Sequence, residues 1–180
     1  PVEQLASFRA MHNVNVLRPA DGNETSAAWY AAVSSKDTPT VLVLSRQNLK
    51  VLPKSKELAM DSVQKGAYIV SPASKEQADG ILIASGSEVS LAAEAQQALK
   101  EQNIDVSVVS MPSCDLFEKQ DQAYKDSVLP KQVKKRLAIE MGASLGWHKY
   151  TGDEGSVLAI DTFGASAPGD LVIEKYGFTV

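Results

Sequence analysis

Cysteine occurs once in this chain, at Cys114, and histidine only twice, at His12 and His148. One cysteine cannot close an internal disulfide. Cys114 has Ser113 and Asp115 beside it and no cationic neighbour to favour a thiolate, so a catalytic role is not expected. The two histidines are far apart in sequence, and no metal-ligand spacing is present. No apolar run approaches the roughly 20 residues that cross a bilayer, and no secretory signal precedes the first expected strand. Basic charge is not in excess: 18 Lys and Arg face 22 Asp and Glu, a net charge of −4, which gives no reason to expect nucleic acid. There is no dinucleotide-type glycine triplet, no Gly-Lys-Ser/Thr phosphate loop and no internal repeat. A reducing, cytoplasmic setting is the expectation. Its 180 residues, 44% hydrophobic and 22% charged, suit a globular protein of one domain, or one domain and part of another. The chain opens on Pro1 rather than methionine, so a piece of something longer is expected.

What is present is clearest over residues 79–113. Asp79-Gly80 reads as a turn, and Ile81-Leu82-Ile83-Ala84 is a short apolar run suited to a strand buried on both faces. Ser85 and Glu88 have the spacing of a capping box, which predicts that they cap the following helix. In that helix Val89, Ala92, Ala95 and Leu99 recur at helical spacing, and Asn103 is its expected stop. Val106-Ser107-Val108-Val109 gives a second strand, closed by the Ser110-Met111-Pro112-Ser113 corner. Strand, helix, strand in about 35 residues is a βαβ unit and implies a parallel sheet covered by helices. The fold class is therefore α/β: a three-layer, Rossmann-like sandwich around a mainly parallel sheet. Ser85-Gly86-Ser87, at a helix start, is also where anions bind, but without further glycines capping is the plainer reading.

The first fifty residues repeat the pattern. A helix is expected from Pro1 to about Met11, broken by Asn13, then a strand at Val14-Asn15-Val16-Leu17. Arg18-Pro19-Ala20-Asp21 turns, because a residue before proline avoids the helical region. Asp21 and Glu24 open a second helix with capping-box spacing, running to about Ser34. Thr40-Val41-Leu42-Val43-Leu44 is the next strand. Residues 49–63 carry lysines and Pro53 without a clean period and read as a linker, which predicts two units, 1–60 and 61–180. Residues 65–70 suit an edge strand, expected antiparallel, followed by a polar loop over 71–78. Beyond the central unit the expectations are short helices near 116–120 and from about Gln122 to just before Leu129-Pro130, strands in 137–140 and 157–160, and a final helix near 170–176. Residues 142–155 are rich in glycine and aromatics, with Trp147 and Tyr150.

Arg46 is the best single candidate for chemistry. It lies just past the carboxyl end of a buried strand, where open α/β sheets place their ligands, and a guanidinium holds a phosphate or carboxylate with two parallel hydrogen bonds. On position alone the plainer reading is an arginine in a surface ion pair, and the same holds for Arg18 at the previous strand end. Asp161-Thr162-Phe163 follows the last strand, and the glycines after it, Gly164 and Gly169, read as a tight packed loop.

Taken together, these segments resemble transketolase. The residues that carry the likeness are Pro1-Val2-Glu3-Gln4-Leu5-Ala6, Arg18-Pro19-Ala20-Asp21-Gly22-Asn23-Glu24-Thr25, Leu44-Ser45-Arg46-Gln47-Asn48-Leu49, Ala84-Ser85-Gly86-Ser87-Glu88-Val89, and the run from Asp161 through Gly164 to Pro168-Gly169. They cover essentially the whole chain in the right order. The resemblance implies the end of a domain holding the pyrimidine of thiamine diphosphate, at residues 1–60 with a linker, and the family's carboxyl-terminal α/β domain at 61–180. It implies an enzyme that moves a two-carbon ketol unit from a ketose phosphate to an aldose phosphate, using thiamine diphosphate and a divalent metal, magnesium or calcium. A homodimer is implied, with sugar phosphates as substrates and neither nucleic acid nor membrane as partner. Arg46 matches the family arginine that grips the substrate's phosphate, which reverses the reading from position alone. Arg18, Asp21 and Asn23 lie in a matching motif and are expected to be structural. The metal-binding motif, the glutamate that activates the cofactor and the substrate-contacting histidines find no match here, so this chain alone is expected to lack turnover and to bind no cofactor. The alternatives are one half of a split thiamine-diphosphate enzyme, or a module that kept the fold for interaction or regulation.

Overall fold

The computed structural model describes residues 2–180, so the expected role of Pro1 in the first helix lies outside the described residues. The amino-terminal part contains helix α1 (Gln4–Arg9), strand β1 (Asn15–Leu17), helix α2 (Gly22–Ser34) and strand β2 (Thr40–Leu42). β1 and β2 pair in parallel, Leu17 beside Leu42, with α2 as their crossover. Asn13 ends the first helical stretch with φ of 56°, a left-handed conformation that asparagine tolerates better than most residues. α2 starts as its sequence predicts: the Glu24 amide donates to Asp21 Oδ1 at 2.9 Å, while Glu24 Oε2 reaches back to accept from the Ala20 amide at 2.7 Å.

The remaining elements are α3 (Ser55–Ser62) with a short 3-10 turn after it, β3 (Tyr68–Ser71), β4 (Gly80–Ala84), α4 (Glu88–Glu101), β5 (Val106–Ser110), α5 (Cys114–Glu118), α6 (Gln122–Val128), β6 (Arg136–Ile139), α7 (His148–Thr151), β7 (Ser156–Leu158) and α8 (Gly169–Lys175). The five strands from β3 onward form one sheet in the order β3-β5-β4-β6-β7. β4, β5, β6 and β7 are parallel, and β3 is the antiparallel edge strand. Alternation along β4 divides the interior. Leu82 and Ala84 join one core with Val108, Ile139, and Ala27, Ala59 and Ala92 from α2, α3 and α4. Ile81 and Ile83 join the other with Val109, Ala138, and Phe117, Val128 and Tyr150 from α5, α6 and α7. Helices on both faces make the expected three layers, and full burial of each large β4 side chain contributes about 1.5–3 kcal/mol.

Two expectations are corrected. Residues 49–63 are not a bare linker. They contain α3, whose Ser55 and Ala59, one turn apart, are buried together with the flanking Leu52 and Val63. Small and polar buried positions give little hydrophobic contrast, which is why no period is visible in the sequence. Ser85 and Glu88 do not form a capping box either. The cap of α4 is Ser87, without a side-chain cap bond, and both residues are drawn into a longer-range network described below. Smaller shifts also occur: Gly80 begins β4 rather than a turn, α5 starts two residues earlier than expected, and a helical turn, α7, lies within 142–155. The stop at Asn103 is as read. Its φ is 62°, and the amides of Asn103 and Ile104 donate to the Lys100 and Leu99 carbonyls, a Schellman closure.

Candidate functional site

The residues that follow the carboxyl ends of β1, β4 and β6 meet in one hydrogen-bonded cluster. β1 leads to Arg18, β4 to Ser85-Gly86-Ser87 and β6 to Glu140. Arg18 is clamped through its backbone, its amide donating to the Pro112 carbonyl at 2.8 Å and its carbonyl accepting from the Gly86 amide at 3.0 Å. Its guanidinium enters the interior. Nη1 donates to Glu140 Oε1 at 2.6 Å and to the Ser85 carbonyl at 2.8 Å, and Nη2 donates to Glu88 Oε1 at 3.1 Å. Glu88 Oε2 also accepts from Arg18, and from the Met141 amide at 2.8 Å. Arg9 closes the set, Nη1 donating to Glu140 Oε2 at 3.0 Å while its guanidinium lies 5.3 Å from the Trp147 ring.

Two guanidinium groups thus balance two fully buried carboxylates. Burial works against the charge on Arg18, but Glu140 and Glu88 outweigh it and hold its pKa above the ordinary value. Arg9 is raised in the same way, Glu140 overcoming the cost of desolvation. Gly86 makes the arrangement possible. Its φ is +57°, and a Cβ there would stand 2.8 Å from Arg18 Cζ.

A second buried knot lies one turn further along the same segment. Glu24 accepts from the Tyr68 hydroxyl at 2.7 Å and from the Ser110 hydroxyl at 2.6 Å, besides the Ala20 amide. Burial dominates and pushes its carboxyl above the usual carboxylate range in spite of these donors. Asp21 accepts from the Leu52 amide and the Ser55 hydroxyl, and Asn23 donates to Ser55 at 2.9 Å.

Arg46 sits elsewhere on the same rim. The last ladder bond of β2 runs from the Val43 amide to the Leu17 carbonyl, 2.8 Å, and the chain then turns outward. The turn is cinched around Arg46: the Gln47 amide donates to Ser45 Oγ at 2.9 Å, and the Ser45 hydroxyl donates to Gln47 Oε1 at 3.0 Å. Arg46 is exposed and takes part in none of the ion pairs among the described residues. Ser45 and Gln47 line a cleft of about 360 Å³ together with Arg18, Gly86, Ser87 and Ala165. An uncommitted guanidinium at such a rim is free to take an anion with two parallel hydrogen bonds.

The other residues weighed in the sequence are dispersed. Cys114 is partly exposed, and desolvation raises its thiol pKa although Arg9 pulls the other way. Asp161 accepts from the Ser144 amide at 2.8 Å, which with nearby His148 holds its carboxyl below the ordinary range. Among the described residues no group of His, Cys, Asp and Glu is placed to hold a metal ion. Sequence reasoning does not find Glu88 and Glu140 as partners of Arg18, nor Arg9 as the second partner of Glu140. The one signal in the sequence is Glu140 itself, a carboxylate directly after the apolar β6 run.

The description of a transketolase-like carboxyl-terminal domain matches residues 66–179, and that of the transketolase pyrimidine-binding domain matches residues 1–51. The chain belongs to the transketolase family. It is 64% identical, over all 180 residues, to a transketolase of Bacillus subtilis, of which it covers 27%. A transketolase from Leishmania mexicana superposes with a TM-score of 0.91 at 43% identity, over 99% of this chain and 25% of that one. A Pichia stipitis transketolase in complex with sedoheptulose 7-phosphate gives 0.89 at 43% identity, over 99% and 25%. This transketolase chain therefore spans about a quarter of the length of the relatives it matches.

Proposed function

We propose that this chain is the carboxyl-terminal portion of a transketolase that moves a two-carbon ketol unit from a ketose phosphate to an aldose phosphate, in the pentose phosphate pathway of the cytoplasm. Residues 1–60 are read as the end of the pyrimidine-binding domain and 61–180 as the carboxyl-terminal domain. In the transfer the C2–C3 bond of the donor breaks and a new carbon–carbon bond forms at the acceptor's aldehyde carbon. The family implies thiamine diphosphate and a divalent metal, magnesium or calcium, for this chemistry. The described residues do not fit a metal site, so its ligands are assigned to other parts of the complete enzyme, and this chain alone is assigned no turnover. A homodimer is the assembly the family implies.

What these residues supply is the grip on the substrate's far end. Arg46 is exposed, charged, and held out by the Ser45–Gln47 turn, and this is the observation that carries the reading. Binding energy taken from a phosphate remote from the reaction positions the carbonyl that reacts. In the complete enzyme Arg46→Ala is expected to raise KM for phosphorylated donors by about tenfold or more, the loss of a charged hydrogen bond being about 1.5–3 kcal/mol. Unphosphorylated donors should be affected far less. Steady-state kinetics with both donor classes is the test, and equal effects on the two would overturn the role of Arg46.

A further inference from the structure

Of the buried ions at the strand ends, Arg18 lines the cleft to which Ser45 and Gln47, the neighbours of Arg46, also contribute. We propose that Arg18 is a positioning residue for the phosphate grip of Arg46, held in place by Glu88 and Glu140 of the carboxyl-terminal domain. The inference rests on the reading of Arg46 as the phosphate ligand.

The connection runs through main-chain bonds. Leu17, next to Arg18, accepts the Val43 amide, the last ladder bond before the chain leaves β2. Arg46 follows three residues later, with the Ser45–Gln47 pair shaping the turn between. Arg18 is thus the fixed point from which the turn springs. Its amide and carbonyl are tied to Pro112 and Gly86, and its guanidinium is tied to Glu88, Glu140 and the Ser85 carbonyl. All of these partners belong to the carboxyl-terminal domain. A bidentate arginine grip is sensitive to placement, and a shift of about 1 Å at a reacting centre costs about a hundredfold. Two carboxylates around the buried Arg18 guanidinium, with Arg9 completing the charge balance, set its direction, which apolar packing of the same volume would not do. Gly86 serves the same end, since any side chain there would press on the Arg18 head.

The experiment compares Arg18→Lys and Glu88→Gln in the complete transketolase, each alone and combined with Arg46→Ala. Both kcat and KM are measured with a ketose phosphate and with an unphosphorylated ketose as donor. A positioning role predicts that each variant lowers kcat/KM for the phosphorylated donor about fivefold more than for the other, chiefly through KM. In the Arg46→Ala background this selective loss should vanish, because there is no longer a grip to misplace. Equal losses with both donors, or a selective loss that persists without Arg46, would overturn the proposal. Should Arg18→Lys fail to fold, Glu88→Gln preserves side-chain volume and keeps Glu140 as counterion, and it carries the same expectation. If Arg46→Ala by itself spares the phosphorylated donor, the reading of Arg46 fails and this proposal with it. If Arg46→Ala is selective and the other two are not, only the positioning role is lost.

Discussion

Glu24 has no exposure and three donors, yet burial raises its carboxyl above the ordinary value. A carboxyl whose folded pKa is raised favours the folded state most when both states are protonated. Its contribution is present below about pH 4.3, the ordinary glutamate value, and is lost as pH rises through the folded pKa. We expect Glu24→Gln to remove that loss, so that its stability falls less than the parent's between pH 4 and 7 in urea titrations; parallel curves would contradict this. Gly66 makes a different demand. Its φ is +87°, and a Cβ there would collide with the Phe117 nitrogen and the Ser113 carbonyl oxygen, both backbone atoms that cannot step aside. Gly66→Ala should cost at least about 3 kcal/mol in the same assay, at the severe end for single substitutions. At this scale the sequence was legible where a residue acts on its neighbours, as with Asp21 at the start of α2 and Asn103 at the end of α4. It was misleading at Ser85 and Glu88, whose spacing fits a local cap. Arg18, 70 residues from Glu88, offers a charge that the local pattern does not contain.

Among the elements, β4, α4 and β5 could be read almost to the residue, because period and propensity agree along them. α3 could not. Its buried face is one serine and one alanine, and only packing against α2 and the 3-10 turn after it reveals a structural helix. Amide exchange distinguishes the two pictures. The α3 amides whose bonds lie within the helix, such as that of Ala59, should be protected to nearly the level of α2, whereas a linker would exchange at once. Val63 is fully buried just beyond α3, and Val63→Ala should destabilise by about 1–3 kcal/mol through the cavity it leaves. The placement of the Arg46 turn was legible as a strand end. Its cinching by Ser45 and Gln47 was not, since nothing in composition marks that pair.

For the molecule as a whole, the segment Arg18 to Glu24 is where the two parts of the chain meet. Arg18 finds its counterions, and Glu24 its donors Tyr68 and Ser110, beyond residue 60. Separating the parts would strand charged and polar groups in an apolar interior, at several kcal/mol for each unpaired ion. Residues 1–180 should therefore unfold in a single transition by calorimetry, with calorimetric and van't Hoff enthalpies in agreement. Two resolved transitions would show that the parts are independent. Composition changes over residues 49–63, with their lysines and Pro53, but the mutual dependence of what lies on either side is invisible there, because it rests on pairs 44 to 122 residues apart.

That separation also imposes an order on synthesis. Glu140 leaves the ribosome 122 residues after Arg18, about ten seconds at a typical elongation rate. Until then the nascent β1–α2–β2 unit carries an arginine with at least one counterion still unmade, and with both unmade until Glu88 is added. The final strands close the fold in both senses, completing the central sheet and discharging a charge set down near the beginning of the chain.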